Sequence, residues 1–575
     1  MADSQFVKRT MSESTISNPN ASSNTTLHAH RLLLAGFMAI LAEGVGFAVR
    51  GGILGQWSQQ YGFTNTELGL ITGGGLTGFG VIIIISSLIA DKVGYGSLMF
   101  GAFIFHVSSA IVTLGAGAAF ASGGKTSALH CLIVGMFLFA MGNGLCEGVA
   151  NPLVASLFPN KKAHYLNILH AGWPGGLILG ALASYFMSGG SGEPVKWQIQ
   201  MCLFLIPVAI YGVMLLGQKF PKSEAKEHGV KYSDMLKELG MGGALILCFL
   251  LALWMRDLAG GLGLPEYLGW IGGTILLVAF GLVTNFSPGY FLMVVMLLIH
   301  SMQGYVELGT DSWVSKITGA ILASPQQGLL TFVYIQGWMF ALRFFAGPIV
   351  HKISPLGLMF VSTILAAIGL TLLGHADSAI FCVVAGTVYA VGKAFMWPTL
   401  LAVVSERFPK GGAITMGAMG GAGMLCAGLL GGPGIGFNQD AHSARLLQAE
   451  HSDVYKRYQA EAPNTFLFFQ TTGLDGAKVG VLDDDGKDLA KQNQTDPNVA
   501  KLSAWWATAK ATAAQDKPII TSAELHGSKM ALRITAIFPL VQAALLLGVI
   551  LFFKARGGYK QVHIEGTGAA AKEVA

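Results

Sequence analysis

Apolar runs of about 20 residues alternate with short polar connections along most of the chain. A helix of that length crosses the hydrocarbon core of a bilayer, so each run is a candidate membrane span. Counting the runs predicts about fourteen spans. They lie near residues 31–50, 68–90, 97–118, 129–155, 165–187, 198–217, 241–258, 266–285, 289–310, 328–350, 356–374, 378–404, 412–436 and 530–553.

The spans fall into groups of six, two and six, because a Lys-rich connection at 218–240 follows the sixth run. Residues 31–217 are therefore predicted to form one six-helix bundle, and residues 289–436 together with 530–553 a second one. Residues 241–285 supply two additional central helices. The predicted fold class is an all-α polytopic membrane protein.

Polar segments at both ends and one polar insertion complete the domain plan. Residues 1–30 are rich in Ser, Thr and Asn and lack the apolar core of a signal peptide, so we expect a disordered cytoplasmic tail. Residues 554–575 are predicted to form a second cytoplasmic tail. Residues 437–528 are far longer than an ordinary connection. Within them the pattern predicts a small extracytoplasmic cap, with helices at 443–458 and 497–514, a strand at 478–482 and a turn at 483–486.

Composition supports this membrane assignment, because only 12% of the residues are charged and 53% are hydrophobic, whereas about a quarter of an average soluble domain is charged. Basic residues concentrate in alternate connections, which predicts that both termini are cytoplasmic. The net charge of +5 is too mild to indicate a nucleic-acid partner. Six cysteines lie in apolar runs without metal-ligand spacing, so we interpret them as buried thiols.

Chemistry other than transport has little support in the sequence. We find no phosphate-binding loop, no His/Cys metal cluster and no nucleophile triad. ATP-driven transport and enzyme catalysis are therefore disfavoured, and no cofactor is expected. The energy for transport would come from an ion gradient or from the gradient of the substrate itself.

One apolar run carries an ionisable residue, Glu147, at a depth where a charge costs roughly 2.5–3.5 kcal/mol. Helical spacing places Asn143, Glu147 and Asn151 on one face. His170 and Trp173 lie on the next helix, in a second polar stripe that could face the first. We interpret Glu147 as a proton-coupling carboxylate in a substrate path. The alternative is a protonated side chain hydrogen-bonded to Asn143 or to a neighbouring helix.

These same residues resemble a known family. Glu147, Ala150, Asn151 and Pro152, followed by a basic turn and the run 166–172 (LNILHAG), resemble the fourth and fifth helices of the fucose-permease-like sugar/proton symporters of the major facilitator superfamily. The resemblance implies two six-helix bundles around a midplane site, a sugar or polyol substrate, and proton symport. The runs 151–163 and 397–413 also resemble each other, as expected for related halves.

The family's loop motif between its second and third helices resembles residues 87–94, which contain Asp91 and Lys92. A counterpart in the second half resembles 343–352, which begins with Arg343. The resemblance implies a gating role for these three side chains. It also implies that an acid in the first helix takes part in proton handling, and Glu43 lies at a comparable depth.

Further polar side chains in the predicted spans are candidates for substrate binding. His300, Gln303 and Glu307 share one helical face, and Tyr389, Lys393 and Trp397 follow i, i+4, i+8 spacing. Amide and carboxylate groups beside aromatic rings suit a hydroxylated substrate, whereas Lys393 would suit an anion or would hold a gate by pairing with a carboxylate of the opposite half. Arg50, Trp173 and Gln336 are further candidates, and His106 is interpreted as a structural histidine.

The sequence therefore predicts a secondary transporter of a sugar or related polyol, coupled to a proton or to sodium. One alternative is an anion transporter of the same fold that uses Arg50 and Lys393. A second alternative is a membrane receptor that binds its ligand in the 437–528 cap. A monomer in a prokaryotic inner membrane is the expected setting.

Overall fold

The structure is a computed structural model that describes residues 19–63, 65–188, 194–491 and 497–564. Thirteen helices in these ranges are long and apolar enough to cross a membrane. The remaining predicted span, near 328–350, contains a helix of 19 residues, Pro325–Arg343, which is less apolar because it carries three glutamines and an arginine. The predicted all-helical membrane fold is confirmed.

The first half contains six spans and short connecting helices. Its elements are α1 (Pro19–Gly52), α2 (Leu54–Tyr61), α3 (Asn65–Val93), α4 (Tyr95–Leu114), α5 (Ala116–Leu157), α6 (Lys162–Met187), α7 (Trp197–Cys202), α8 (Leu205–Leu215) and α9 (Glu224–Glu227). Helix α1 packs on α6, and α5 packs on both α3 and α4. Two glycines, Gly123 and Gly124, break α5 near its start.

Two additional helices, α10 (Tyr232–Gly261) and α11 (Tyr267–Thr284), follow the linker. Helix α10 packs on the second half and on α11. Large apolar side chains of α11 remain exposed, among them Leu268, Ile275 and Leu282. Since the chain is a membrane protein, this exposed face is suited to contact with lipid tails.

The second half begins after α11. Its helices are α12 (Phe291–Gly304), α13 (Val314–Ile321), α14 (Pro325–Arg343), α15 (Ala346–Leu373), α16 (Ala379–Lys393), α17 (Met396–Arg407) and α18 (Gly412–Cys426), and it ends with α24 (Ile537–Ala555). Two π-helical turns, Tyr305–Gly309 and Ala427–Gly431, extend α12 and α18. The halves meet where α3 packs on α18 and where α6 packs on α14 and α17.

The cap connects the last two spans through long helices that continue out of the bundle. Its elements are α19 (Gly432–Glu450), α20 (Ser452–Tyr458), β1 (Asn464–Phe466), β2 (Phe469–Thr471), α21 (Gly476–Asp483), α22 (Pro497–Ala509) and α23 (Ala513–Thr535). Strands β1 and β2 pair antiparallel. A small apolar core, including Leu447, Tyr458, Leu482 and Ile520, holds these elements together.

Two predictions of local structure are wrong, and a third is right except at one residue. Residues 478–482 are helical, because the Asp475 side chain accepts hydrogen bonds from the backbone N–H groups of Ala477 and Lys478 and so caps α21. The predicted helix 443–458 is interrupted at His451. Helix α1 starts at Pro19, inside the tail predicted to be disordered, since Pro is favoured at a first helical position. The rest of that tail, 1–18, and residues 565–575 of the second tail lie outside the described residues.

The buried Asp516 carboxylate, paired with a partly exposed arginine in the cap, provides a first prediction. Arg457 donates two hydrogen bonds to Asp516, at 3.0 and 2.6 Å, and the Thr512 hydroxyl donates a third at 2.7 Å. Asp516→Asn removes the charge that these donors require, so the cap is expected to lose about 1–3 kcal/mol of stability. Faster hydrogen exchange of the amides in α20–α22 would show the loss. Asp485→Asn, at an exposed turn, is the matched control, and equal exchange in both variants would contradict the prediction.

Candidate functional site

A small cavity lies between the two halves, where α5 and α6 face α14, α17, α18 and the π-helical turn Tyr305–Gly309. Both halves contribute acidic, basic and aromatic side chains to its wall. The lining residues are Glu147, His170, Trp173, Glu307, Leu308, Arg343, Trp397 and Met424. The structure therefore brings six of the candidate residues together at one site.

On the side of the first half, Asn151 connects the two polar residues of the cavity. Its Nδ2 donates to Glu147 Oε2 at 2.7 Å, and its Oδ1 accepts from His170 Nε2 at 2.7 Å. His170 Nδ1 then lies 3.8 Å from Glu147 Oε1. Because Nε2 carries the proton of the neutral ring, Nδ1 presents a lone pair to Glu147. The two groups are neighbours, but 3.8 Å is too long for a hydrogen bond between them.

On the side of the second half, Arg343 holds Glu307 and also reaches across to the first half. Its Nη2 donates to Glu307 Oε1 at 3.0 Å, and its Nη1 donates to the backbone oxygen of His170 at 2.5 Å. The backbone oxygen of Ala394 accepts from Nε at 2.8 Å. Gln303 donates to the second oxygen of Glu307 at 3.0 Å. The planar guanidinium thus fixes the Glu307 carboxylate and joins the two halves.

The position of Arg343 differs from the loop position that the motif predicts. The side chain is 1% exposed and lies in the cavity wall. The backbone break that ends this span occurs at Ser354 (φ 63°), about three helical turns later. Arg343 therefore lies within the membrane domain, because α15 continues the chain beyond it.

Glu307 and Asp311 both have cationic partners inside the second half. Glu307 lines the cavity, and the Asp311 side chain is only 8% exposed and pairs with Lys393. The π-helical turn at Tyr305–Gly309 places Glu307 next to Arg343 while Gln303, one turn earlier, still reaches its carboxylate. Such turns inside helices are frequent at functional sites.

The structure separates the three residues of the predicted stripe, which are Tyr389, Lys393 and Trp397. Lys393 forms an ion pair with Asp311 of its own half, and the Tyr389 hydroxyl donates to the Val306 backbone oxygen at 2.8 Å. The prediction that Lys393 pairs with a carboxylate of the opposite half is therefore wrong for this arrangement of the halves. Trp397 alone reaches the cavity, because the helix breaks between α16 and α17 and redirects the chain.

Asn143 does not line the cavity, although it shares a predicted face with Glu147. Its Oδ1 accepts from His106 Nε2 at 2.8 Å, and His106 Nδ1 lies 2.8 Å from the Tyr211 hydroxyl. The structural interpretation of His106 is confirmed by these two partners. Oδ1 of Asn143 is thus occupied inside the first half, whereas its buried Nδ2 has no hydrogen-bond partner among the described residues.

Glu43 and Arg50 are also buried inside the first half, and neither is a lining residue of the cavity. Arg50 donates to the Ser109 hydroxyl at 2.8 Å, and its guanidinium carbon lies 4.0 Å from the centre of the Phe139 ring. Arg50 is 2% exposed, so its side chain does not extend outward to the membrane surface. Glu43 is fully buried in α1.

The remaining candidates have other surroundings. Gln336 is fully buried in α14, and within the described ranges neither polar atom of its amide has a hydrogen-bond partner.

The loop-motif residues Asp91 and Lys92 lie against the linker. The Asp91 backbone oxygen accepts from the Lys226 ammonium, and the Lys92 ammonium lies 4.8 Å from the Tyr232 ring centre. The loop motif of the first half thus contacts the linker. A gating role for Asp91 and Lys92 stays a prediction.

Two contacts between the halves were not predicted. Asn167 Nδ2 donates to the Thr399 hydroxyl at 3.1 Å, and Lys162 Nζ donates to the Ser405 backbone oxygen at 3.2 Å. The internal repeat contains a signal for them, because it aligns the two Phe-Pro turns near which these residues lie. Facing turns of related halves are expected to approach each other.

These features define a membrane transport protein with two related helical halves and a polar site between them. The model of the Major Facilitator Superfamily matches residues 32–433. The chain belongs to the Major Facilitator Superfamily, and so it is a transporter of this class.

Solved structures support the fold. The xylose symporter XylE, bound to 6-bromo-6-deoxy-D-glucose, superposes with a TM-score of 0.55 at 13% identity, covering 91% of this chain and 96% of that one. FucP in an outward conformation gives 0.51 at 14% identity, covering 70% and 91%. The human organic anion transporter MFSD10 gives 0.54 at 13% identity, covering 90% and 99%. At these identities the similarity shows the fold alone.

One curated relative matches over a shorter region. The L-fucose-proton symporter of Escherichia coli (strain K12) is 27% identical over 114 residues, which is 20% of this chain. The match spans 24% of the length of that relative. It agrees with the resemblance of residues 147–172 to this group of symporters.

Proposed function

We propose that this protein carries a sugar or a related polyol across the membrane by alternating access, coupled to proton symport through Glu147. The observation that supports this most is the convergence of Glu147 and His170 from one half with Glu307 and Arg343 from the other. Carboxylate, imidazole and guanidinium groups can bind several hydroxyls. Trp173 and Trp397 add aromatic surfaces for the apolar faces of a sugar ring.

Proton coupling is proposed for Glu147 because of its immediate partners. It faces the unprotonated Nδ1 of His170, whereas Glu307 is held by a guanidinium. A carboxylate with a permanent cationic partner stays ionised more readily than one beside a neutral imidazole. Glu147 is therefore the carboxyl group of the cavity that is better suited to take up and release a proton. Glu43, buried in the neighbouring α1, is proposed to assist.

Alternating access is proposed because the cavity between the halves is too small for a substrate to enter. The cavity has room for about one water molecule and cannot hold a sugar ring. Arg343, Asn167 and Lys162 join the two halves by hydrogen bonds around it. A substrate can therefore enter only when the halves separate on one side, which fits a rocking movement of two bundles.

The anion alternative receives less support. Lys393 is neutralised by Asp311, and Arg50 lies inside the first half rather than in the cavity. In the cavity itself two carboxylates surround one guanidinium. A site of this charge favours a neutral substrate or a proton-coupled one over an anion. Binding to the cap, as in a receptor, would leave the buried charges between the halves without a role.

The test is uptake of labelled hexoses and polyols into proteoliposomes, with and without an inward proton gradient. We expect wild type to accumulate one of them only with the gradient. Glu147→Gln is expected to reduce gradient-driven accumulation at least about tenfold while substrate exchange across the membrane continues. The glutamine can still form hydrogen bonds, but it cannot bind and release a proton. Glu266→Gln, at an exposed turn, is the matched control.

Two results would contradict parts of this proposal. Transport of small organic anions with no movement of any hexose or polyol would contradict the substrate class. Accumulation driven by a sodium gradient, with none driven by protons, would contradict the coupling ion. We further propose a monomer in a prokaryotic inner membrane with both termini cytoplasmic, as the distribution of basic residues indicates.

A further inference from the structure

The segment 556–564, after α24, is bound to the end of α17. The Tyr559 hydroxyl donates to Glu406 Oε2 at 2.6 Å, and the Val562 backbone N–H donates to the Glu406 backbone oxygen at 2.9 Å. Arg407 Nη1 donates to the Lys560 backbone oxygen at 2.5 Å. Three hydrogen bonds therefore fix this segment to two consecutive residues of the second half.

Aromatic packing makes the attachment specific. The Tyr559 ring lies edge-on to Phe553 at 5.3 Å, and the Arg407 guanidinium lies 4.9 Å from the Phe553 ring centre. Burial and the neighbouring Glu406 raise the pKa of Tyr559 well above its usual value. The phenol therefore keeps its proton and donates to Glu406 throughout the physiological pH range.

The same segment also reaches the first half. Gln561 Nε2 donates to the backbone oxygen of Pro159 at 3.3 Å, in the turn between α5 and α6. Pro159 and Pro409 begin the two related turns, so the segment crosses the junction of the halves at one end of the bundle. The contact of Lys162 with the Ser405 backbone oxygen lies beside it.

A second cavity lies at this end of the junction. It contains about 310 Å³ of empty space and is lined by both halves and by the linker, including Tyr95, Ser156, Lys162, Glu224, Ser405 and Gly412. Any opening of the halves at this end must widen this cavity and separate Pro159 from the end of α17. The bond between Gln561 and Pro159 would then break.

We propose that residues 556–564 form a latch that holds the two halves together at the end where Pro159 and Pro409 lie. The latch favours the arrangement that is closed at this end, and its release allows the halves to separate there. This inference rests on the proposed movement of the two halves and is independent of the substrate. Its test therefore uses no substrate, so that its failure is distinguishable from a failure of sugar uptake.

The test measures how fast a cysteine in the second cavity reacts with a soluble maleimide. Ser405→Cys is the reporter, because Ser405 is 8% exposed and its side chain lies in the cavity wall. Labelling is read at this position by mass spectrometry, separately from the native cysteines. We compare the full chain with a chain ending at Arg556 and with a chain ending at Ile564.

The chain ending at Ile564 keeps the latch and is expected to react like the full chain. The chain ending at Arg556 is expected to react at least about tenfold faster, because each lost hydrogen bond changes an equilibrium constant several-fold. Gln561→Ala, which removes only the contact to the first half, is expected to give an increase of about threefold to fivefold. A rate within about twofold of the full chain for the chain ending at Arg556 would refute the latch.

A second reporter separates release of the latch from general loosening of the fold. Thr77 packs against Gly428 of the second half in the middle of α3, about 20 Å along that helix from Asp91 and so away from the latch. Thr77→Cys is expected to react no faster in the chain ending at Arg556 than in the full chain. An equal increase of the labelling rate at both reporters would overturn the proposal. It would also be overturned if Tyr559→Phe made Ser405→Cys react faster while Gln561→Ala did not change its rate.

Discussion

Replacing Arg343 by methionine is expected to produce the largest loss of stability among single changes at the cavity. The side chain is 1% exposed and pairs with Glu307, which is 3% exposed. Among the described residues, removing it leaves the buried Glu307 carboxylate with the Gln303 amide as its one hydrogen-bond partner, and breaking a buried pair in this way costs about 3–5 kcal/mol. Transport should also be lost, since the bond to the His170 backbone oxygen joins the halves.

Thermal or denaturant unfolding of the purified protein measures this effect. Arg256→Met is the matched control, because Arg256 pairs with an exposed Asp257, and it should change stability by less than about 1 kcal/mol. The double variant Arg343→Met with Glu307→Gln should recover part of the loss, since no buried charge then remains uncompensated. Equal stability of Arg343→Met and Arg256→Met would contradict the assignment of this pair.

Arg343→Lys is expected to restore little of the function. Three acceptors in different directions, the Glu307 carboxylate and the backbone oxygens of His170 and Ala394, use three nitrogens of the guanidinium. An ammonium group is a compact donor at the end of a flexible chain and cannot reach all three. Uptake by this variant close to that of wild type would show that charge alone is required at this position.

Gly304→Ala is expected to have the second large effect, through packing. A methyl group on Gly304 would lie 1.9 Å from the backbone oxygen of Gly423, so α12 and α18 would have to move apart. Overpacking of this kind typically costs about 1–3 kcal/mol. It would also displace Gln303 and Glu307, which lie just before and just after Gly304 along the same helix. Glu307 lines the cavity. Lower thermal stability together with lower uptake is therefore expected.

Gly337→Ala is the matched control and should act in the opposite direction. Gly337 lies inside α14, and no atom lies within 4 Å of an added methyl group. Alanine in a helix interior is favoured over glycine by roughly 0.5–1 kcal/mol, so this variant should be slightly more stable than wild type. If Gly304→Ala were as stable as Gly337→Ala, the close contact between α12 and α18 would be refuted.

Much of the fold was predictable from the sequence because a bilayer imposes simple requirements. A span needs about 20 apolar residues and must satisfy its backbone hydrogen bonds internally, so length and hydropathy locate the helices. The cap lacks such a requirement. The elements of the cap are short. The apolar run 478–482 predicted a strand, but the residues form a helix that is stabilised by the capping contact of Asp475.

Several cavity residues were predictable for a related reason. A charge inside the membrane is costly, so Glu147 and Glu307 were evident candidates from the sequence. What the sequence could not show was the partner of each polar group. Arg343 was assigned to a loop and lies in the cavity, whereas Asn143, on the same predicted face as Glu147, is bound to His106.

The sequence by itself therefore determined the class of membrane protein, the approximate spans and the pair of related halves. It also identified Glu147 and Glu307 as acidic side chains within the spans. Only the tertiary structure decided that Lys393 pairs with Asp311 in its own half and that Arg343 bridges to the other half. Periodicity specifies the face of a helix that a residue occupies, whereas the neighbour of that face depends on how distant helices rotate and pack.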